Sequence, residues 1–233
     1  MSHADRTPGQ PLPWPKPPQA VLFDLDGTLA DTAGDLAGAL NQLRIDKGLA
    51  PLPLDMLRPY ASSGARGLIG VGLDIHPGHA EYESLREGFL AAYTRCLSDT
   101  TVLFEGMDEV LRQLEARGVT WGVVTNKPHR FTVPVMEGLG LMTRAAVVIS
   151  GDSTAHAKPH PLPLITACEH IGKAPSTVLY VGDDLRDIQA AQAAGMPSAA
   201  AQWGYIGHNG DIADWRADVI TPQPLDLLRL VGL

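Results

Sequence analysis

Four short stretches of the chain carry residue types from which an active site could be assembled. They are Asp24-Leu25-Asp26-Gly27-Thr28, Thr125-Asn126-Lys127, His156-Ala157-Lys158-Pro159, and Gly182-Asp183-Asp184 with Asp187 one helical turn further on. Carboxylates brought together without a basic excess repel one another, and must share protons or hold a cation. Oxygen donors without His or Cys suit Mg2+. Thr125 and Lys158 add a hydroxyl donor and a fixed positive charge, both suited to phosphate oxygens. The Gly27-Thr28 turn lets backbone N–H groups approach an anion closely. An acidic, magnesium-bearing site with a phosphate cradle is a phosphoryl-transfer site, where positioning and charge neutralisation supply most of the catalysis.

Each stretch also has a plainer reading by itself. Asp24 and Asp26 could be a solvated or capping pair, Thr125-Asn126 a strand-end turn, Lys158-Pro159 the approach to a helix, and Asp183-Asp184 a helix N-cap. The functional expectation rests on all four occurring in order, each at the end of a predicted strand.

The elements that must position them follow from the apolar pattern. Residues 20–24, 119–125, 146–150, 177–182 and 197–201 are short, bounded apolar runs, which fit strands buried on both faces of a parallel sheet. Met107, Val110, Leu111 and Leu114 recur with helical spacing, and residues 128–139, 161–171 and 184–194 are further helix candidates. This alternation predicts an α/β fold, a doubly wound, Rossmann-like parallel sheet with right-handed crossovers. Ligands bind such a sheet outside the carboxyl ends of its strands. After the first strand the rhythm stops for about eighty residues without a convincing strand, too long for a loop. Leu36, Leu40 and Leu43, then residues 81–97, are helical instead, so an inserted α-helical domain is expected. The expected division is a leader over 1–18, an α/β core over 19–32 and 105–233, and the helical insert over 33–104. Residues 1–18 hold six of the nineteen prolines. They read as a flexible leader, with a Pro-rich docking motif as the alternative.

Composition narrows the partners. The 233 residues carry 26 acidic against 18 basic side chains, a formal charge of −8, which disfavours nucleic acid and anionic membranes. Cys96 and Cys168 show no metal-binding spacing and read as buried thiols in a reducing cytosol. There is no apolar run of roughly 18–20 residues and no secretory signal pattern. A soluble cytoplasmic protein is expected, a monomer or homodimer acting on a small molecule.

With these motifs assembled, residues 20–233 resemble the haloacid dehalogenase-like superfamily of aspartate-nucleophile phosphotransferases. The chain looks like the subfamily with a helical cap after the first strand, which includes phosphoglycolate phosphatases. Residues 103–107, 121–128, 182–188 and 203–206 are similar to those of N-acetylmuramic acid 6-phosphate phosphatases. The resemblance implies Asp24 as nucleophile and Asp26 as the acid that protonates the leaving alcohol and then takes a proton from water. It implies Mg2+ held by Asp24, Asp183 and the Asp26 carbonyl, with Asp187 and Asp184 orienting the metal's water shell. Gly27, Thr125, Asn126 and Lys158 would bind the phosphoryl group. Thr28, Asp31 and Thr32 would belong to the turn and hinge. An Asp at position 26 favours phosphoryl transfer over dehalogenation, which has no alcohol to protonate.

In the cap, Ser63, Gly64 and Arg66 are the expected substrate readers, with Arg66 as a plain surface charge the alternative. Lys127 either lines the site or points outward. His129, His156 and His160 read as solvated loop residues, His76 and His79 as a turn, and Met107 and Trp121 as core. The expected activity is Mg2+-dependent phosphomonoester hydrolysis. A β-phosphoglucomutase-like mutase and a non-catalytic module on the same fold are the alternatives.

Overall fold

The computed structural model describes residues 14–207 and 210–233. Most of the expected leader, residues 1–13, therefore lies outside the described residues. Among the described residues, eight strands form two sheets: β1 (Ala20–Phe23), β2 (Ala30–Asp31), β3 (Val102–Leu103), β4 (Thr120–Val124), β5 (Val148–Ile149), β6 (Val178–Gly182), β7 (Ser198–Ala201) and β8 (Val219–Thr221). Six of them make one parallel sheet in the order β5-β4-β1-β6-β7-β8. The helices are α1 (Ala33–Asp46), α2 (Leu54–Leu57), α3 (Gly64–Leu73), α4 (Tyr82–Arg95), α5 (Met107–Ala116), α6 (His129–Gly138), α7 (Leu162–His170), α8 (Leu185–Ala194) and α9 (Asp226–Leu230), with a 3-10 turn at Arg58–Ser63.

Strand alternation decides which helices cover which face. Val21 and Phe23 of β1 point to one side, with Trp121, Leu179 and Val181, and pack under Val110, Leu111 and Leu114 of α5, Val135 of α6 and Leu227 of α9. Ala20 and Leu22 point to the other, with Tyr180, under Leu164 and Cys168 of α7 and Ala190 and Ala191 of α8. Both faces of the sheet are covered, so its strands are apolar throughout rather than alternating. All of these residues are buried.

A third cluster forms within the insert. Leu36, Leu40 and Leu43 of α1, Leu68 and Ile69 of α3, and Leu85, Phe89 and Tyr93 of α4 pack together, with Phe131 and Tyr205 reaching in from the core. The insert leaves and returns to the core through the antiparallel pair β2–β3. Asp35 at the start of α1 closes this neck. Its buried carboxylate accepts N–H and O–H bonds from both Thr100 and Thr101, at 2.5 to 3.2 Å.

Three expectations need correction. The interval between β1 and α5 is not free of strand, because β2 and β3 are each two residues long and carry no readable periodicity. β8 and α9 were not expected, since Val219–Thr221 and Asp226–Leu230 are too short to show a pattern. Cys96 is half-buried rather than buried, sitting at the C-terminal end of α4, while Cys168 is buried.

Candidate active site

The carboxyl ends of β1, β4 and β6 are adjacent in the sheet, and this alone gathers the expected residues. Asp24 follows β1, Thr125 follows β4, and Asp183 follows β6. Asp187 lies in the first turn of α8. Asp24, Asp183 and Asp187 each place one carboxylate oxygen within 4.8 Å of the others. Asp183 and Asp187 are almost wholly buried.

The Lys158 ammonium contacts this cluster directly. The buried Lys158 Nζ lies 2.9 Å from Asp24 Oδ1, 2.7 Å from Asp187 Oδ1, 2.8 Å from Tyr180 Oη and 2.9 Å from Val124 O. Four acceptors thus surround a group with three protons, and Asp24 Oδ1 is left in ionic contact without an aligned hydrogen bond. Burial would pull the Lys158 ammonium down, but Asp187 and Asp24 outweigh it and hold it above the ordinary lysine value.

One charge does not balance three carboxylates. Burial, reinforced by Asp24 and Asp187, pushes the Asp183 carboxyl well above the usual range, despite hydrogen bonds from the Tyr205 N–H and the Thr28 hydroxyl. Burial likewise pushes Asp187 up to about 7, with Lys158 opposing and Asp24 adding to the rise. Buried carboxylates in this state fit a hard divalent cation, which replaces the protons they would otherwise need. The orphaned Asp24 Oδ1 and the all-oxygen donor set agree with Mg2+.

Asp26 is held separately. Its Oδ1 accepts from Thr32 Oγ1 at 2.6 Å and from Lys127 Nζ at 2.8 Å, so Oδ2 is the oxygen left to carry a proton. Lys127 is buried and points inward, with Nζ 4.8 Å from the centre of the Tyr93 ring on α4. Burial would lower the Lys127 ammonium, but Asp26 more than offsets it, so Lys127 stays charged.

A cavity of about 190 Å³ opens over these groups. Asp24, Asp26, Thr125, Asn126, Lys158 and Asp187 line its core side, and Ser63 and Gly64 its insert side. Arg66 is exposed and does not line it. The guanidinium found there is Arg186, held by Asp184 at 2.8 and 2.9 Å and donating to Ser62 O at 2.9 Å.

Two expected phosphate contacts have other partners. The Gly27 N–H donates to Ala30 O. Its φ of 86° and its contact with Asp183 explain the glycine instead, because a Cβ there would fall onto the Asp183 carboxylate. The Asn126 side chain clamps the Lys158 backbone, donating to its carbonyl and accepting from its N–H, both at 2.9 Å. Its second amide proton and its backbone N–H are left for a phosphoryl oxygen. Thr125 Oγ1 accepts from the Lys127 N–H at 3.1 Å, which leaves its own proton to donate.

Asp184 turns out to cap α8, in a capping box with Asp187. Its carboxylate orients Arg186. The histidines at 76, 79, 156 and 160 are exposed outside helices and strands; His129 is exposed too but opens α6 instead of lying in a loop, and Met107 and Trp121 are core.

Several site residues make contacts that the sequence does not show. Thr28 donates to Asp183 Oδ1 at 2.9 Å, Ser62 to Asp183 Oδ2 at 3.3 Å, and Tyr180 Oη receives Lys158. Tyr205 gives Asp183 its backbone N–H, and its hydroxyl receives the Thr32 N–H at 2.7 Å. Asp31 pairs with Arg58 at 2.7 Å across the neck of the insert. Thr28 and Asp31 are expected only as turn and hinge residues, and Tyr180 and Tyr205 have no expected role.

A family model described as haloacid dehalogenase-like hydrolase matches residues 21–201. A phosphoglycolate phosphatase of Xanthomonas campestris is 46% identical over 210 residues, covering 90% of this chain and 95% of its own. An N-acetylmuramic acid 6-phosphate phosphatase of Pseudomonas putida is 41% identical over 213 residues, covering 91% and 96%. The crystal structure of a predicted phosphoglycolate phosphatase from Haemophilus somnus superposes with a TM-score of 0.80 at 29% identity, covering 91% of this chain and 97% of that one.

Proposed function

The chain belongs to the haloacid dehalogenase-like hydrolases, and from that premise we propose that it is a Mg2+-dependent phosphomonoester hydrolase acting on a small phosphorylated metabolite. One observation carries the proposal. Asp24, Asp183 and Asp187 converge beside the buried Lys158, under a cavity that Asp26 also lines. The names of the relatives support phosphate-ester chemistry and point to phosphoglycolate or N-acetylmuramic acid 6-phosphate as substrates to test.

Asp24 attacks phosphorus. Its Oδ1 is turned to Lys158, so Oδ2 is the oxygen presented to the cavity. The P–O bond to the alcohol breaks as the Asp24–phosphorus bond forms, and Asp26 Oδ2 gives its proton to the departing oxygen. Asp26 then accepts a proton from the water that cleaves the aspartyl-phosphate. Lys127 and Thr32 hold the carboxyl through Oδ1 during both steps. The Thr125 hydroxyl and the Asn126 N–H donate to phosphoryl oxygens, and the Lys158 ammonium offsets their charge. Asp24, Asp183 and the Asp26 carbonyl would hold Mg2+, with Asp187 orienting its water shell, and the ion would offset negative charge on the phosphoryl group.

Residues 33–104 act as a cap over the core formed by 19–32 and 105–233 in this reading, closing the cavity and excluding water. The free thiols Cys96 and Cys168 support a reducing, cytoplasmic location. A mutase would use the same core residues but return the phosphoryl group to sugar. Release of inorganic phosphate separates the two. The test is phosphate release from a panel of esters with Mg2+ and with EDTA. Turnover that EDTA silences and Mg2+ restores is expected, and turnover indifferent to EDTA contradicts the proposal.

A further inference from the structure

The segment that follows β7 is wedged between the acidic cluster and the neck of the insert. Gly204 packs so closely on Asp183 and on the Gly27 carbonyl that a Cβ there would fall onto both. Trp203 Nε1 donates to Thr28 O at 3.0 Å, on the turn after β1. Tyr205 is thereby carried into the neck, where it is 5% exposed. Its ring lies 6.3 Å from that of Phe104 and 5.6 Å from the Arg58 guanidinium of the insert.

The two polar ends of Tyr205 reach different parts of the site. Its backbone N–H donates to Asp183 Oδ2 at 2.9 Å. Its hydroxyl accepts the Thr32 N–H at 2.7 Å and donates its own proton to Asp31 Oδ1 at 3.1 Å. The single proton of the Thr32 hydroxyl goes to Asp26 Oδ1 at 2.6 Å, since that carboxylate oxygen can only accept it. Arg58 grips Asp31 from the insert through two bonds, at 2.7 and 3.1 Å. A chain of hydrogen bonds thus runs from Arg58 through Asp31, Tyr205 and Thr32 to Asp26. Thr32 is wholly buried, so solvent does not replace a lost partner there.

We infer that Tyr205 is a positioning residue for proton transfer. Its hydroxyl fixes the Thr32 backbone, Thr32 in turn fixes Asp26, and the ion pair of Arg58 with Asp31 ties that placement to the insert. This rests on the phosphatase reading above and deepens it. Asp26 Oδ2 must meet the departing oxygen as the bond between that oxygen and phosphorus breaks, and a misplaced acid fails to deliver its proton in time. The loss therefore falls on esters whose alcohol needs the proton, and spares leaving groups that are stable as anions. A residue that only held the fold together would slow both alike.

Tyr205→Phe removes the hydroxyl but keeps the ring beside Phe104 and Arg58, and the backbone N–H on Asp183. Phosphate release with Mg2+ is measured as kcat/KM on two alkyl esters, 2-phosphoglycolate and N-acetylmuramic acid 6-phosphate. The same is done with p-nitrophenyl phosphate and acetyl phosphate, whose leaving groups depart without a proton. Because kcat/KM covers the steps up to that departure, the later role of Asp26 with water does not enter. The variant should lose about tenfold or more on whichever alkyl ester the wild type hydrolyses, and stay within about twofold of wild type on the activated pair. Thr32→Val should show the same split, and adding Tyr205→Phe to it should cost nothing further. Should Tyr205→Phe not fold, Asp31→Ala, which removes the acceptor that aims the Tyr205 hydroxyl, should split the two classes in the same direction. An equal loss on both classes, no loss on either, or additive effects of the Tyr205 and Thr32 substitutions overturns the inference and leaves the phosphatase reading standing. Silence of the wild type on every compound overturns the phosphatase reading and the inference together.

Discussion

Lys127 Nζ lies 2.8 Å from Asp26 Oδ1, and both side chains are largely buried. The pair joins the second motif of the core to the carboxyl assigned to proton transfer, and Tyr93 of the insert closes over the ammonium. Removing one member of a buried pair strands the other, which costs more than the pair contributes net. Lys127→Met should therefore lower stability by about 3–5 kcal/mol at neutral pH, read as a shift in denaturant midpoint with an unchanged slope. An unshifted midpoint would show that Asp26 is well solvated without its partner.

The glycine after Asp26 carries a different constraint. Gly27 has φ 86° and lies against the Asp183 carboxylate. Gly27→Ala should displace Asp183 and lower Mg2+ affinity about 10- to 100-fold. Titration calorimetry with Mg2+ checks this, and wild-type affinity in the variant would mean the Gly27–Asp183 contact is not needed.

The acidic cluster links metal binding to pH. An unfolded aspartate titrates near about 3.9. Burial raises Asp183 well above that and brings Asp187 to about 7 in the metal-free protein. A carboxyl raised on folding adds stability at low pH, and that contribution is lost as pH rises through its folded value. Mg2+ needs the deprotonated form and should restore what is lost. The rise in melting temperature on adding Mg2+ should be larger near pH 8 than near pH 6, by the linkage of protons and metal. A rise that is equal at both, or larger at the acidic one, would contradict the arrangement.

The neck of the insert gives a stability prediction of its own. Four donors converge on the buried Asp35 carboxylate from Thr100 and Thr101. Asp35→Ala leaves them without their acceptor and should cost about 3 kcal/mol or more. Asp35→Asn, which keeps one acceptor oxygen, should cost less. Equal melting curves for Asp35→Ala and the wild type would remove the neck from the account.

How much of this was legible in the sequence follows from what sets each feature. The central strands were readable because burial on both faces demands short unbroken apolar runs, as in Val178–Gly182. Their terminal residues Asp24, Thr125 and Asp183 then fell at one edge by topology alone. Lys158 follows no strand closely but returns to that edge, tied there by Asn126. The two-residue strands β2 and β3 were illegible, since a pair of residues has no period. So was the choice of Arg186 over Arg66. It depends on Asp184 capping α8 and steering a neighbouring guanidinium toward the cavity, a three-dimensional consequence of a local cap. Tyr205 lies 174 residues from Asp31 and bonds it through its hydroxyl, a pairing that no spacing rule foretells.

The account's central claim is that Asp24 forms a bond to phosphorus. Asp24→Asn is isosteric and removes the nucleophilic oxygen, so the variant should fold, melt cooperatively and release no phosphate above background with Mg2+ on any ester the wild type hydrolyses. Phosphate release at a rate near wild type from that folded variant would contradict the claim.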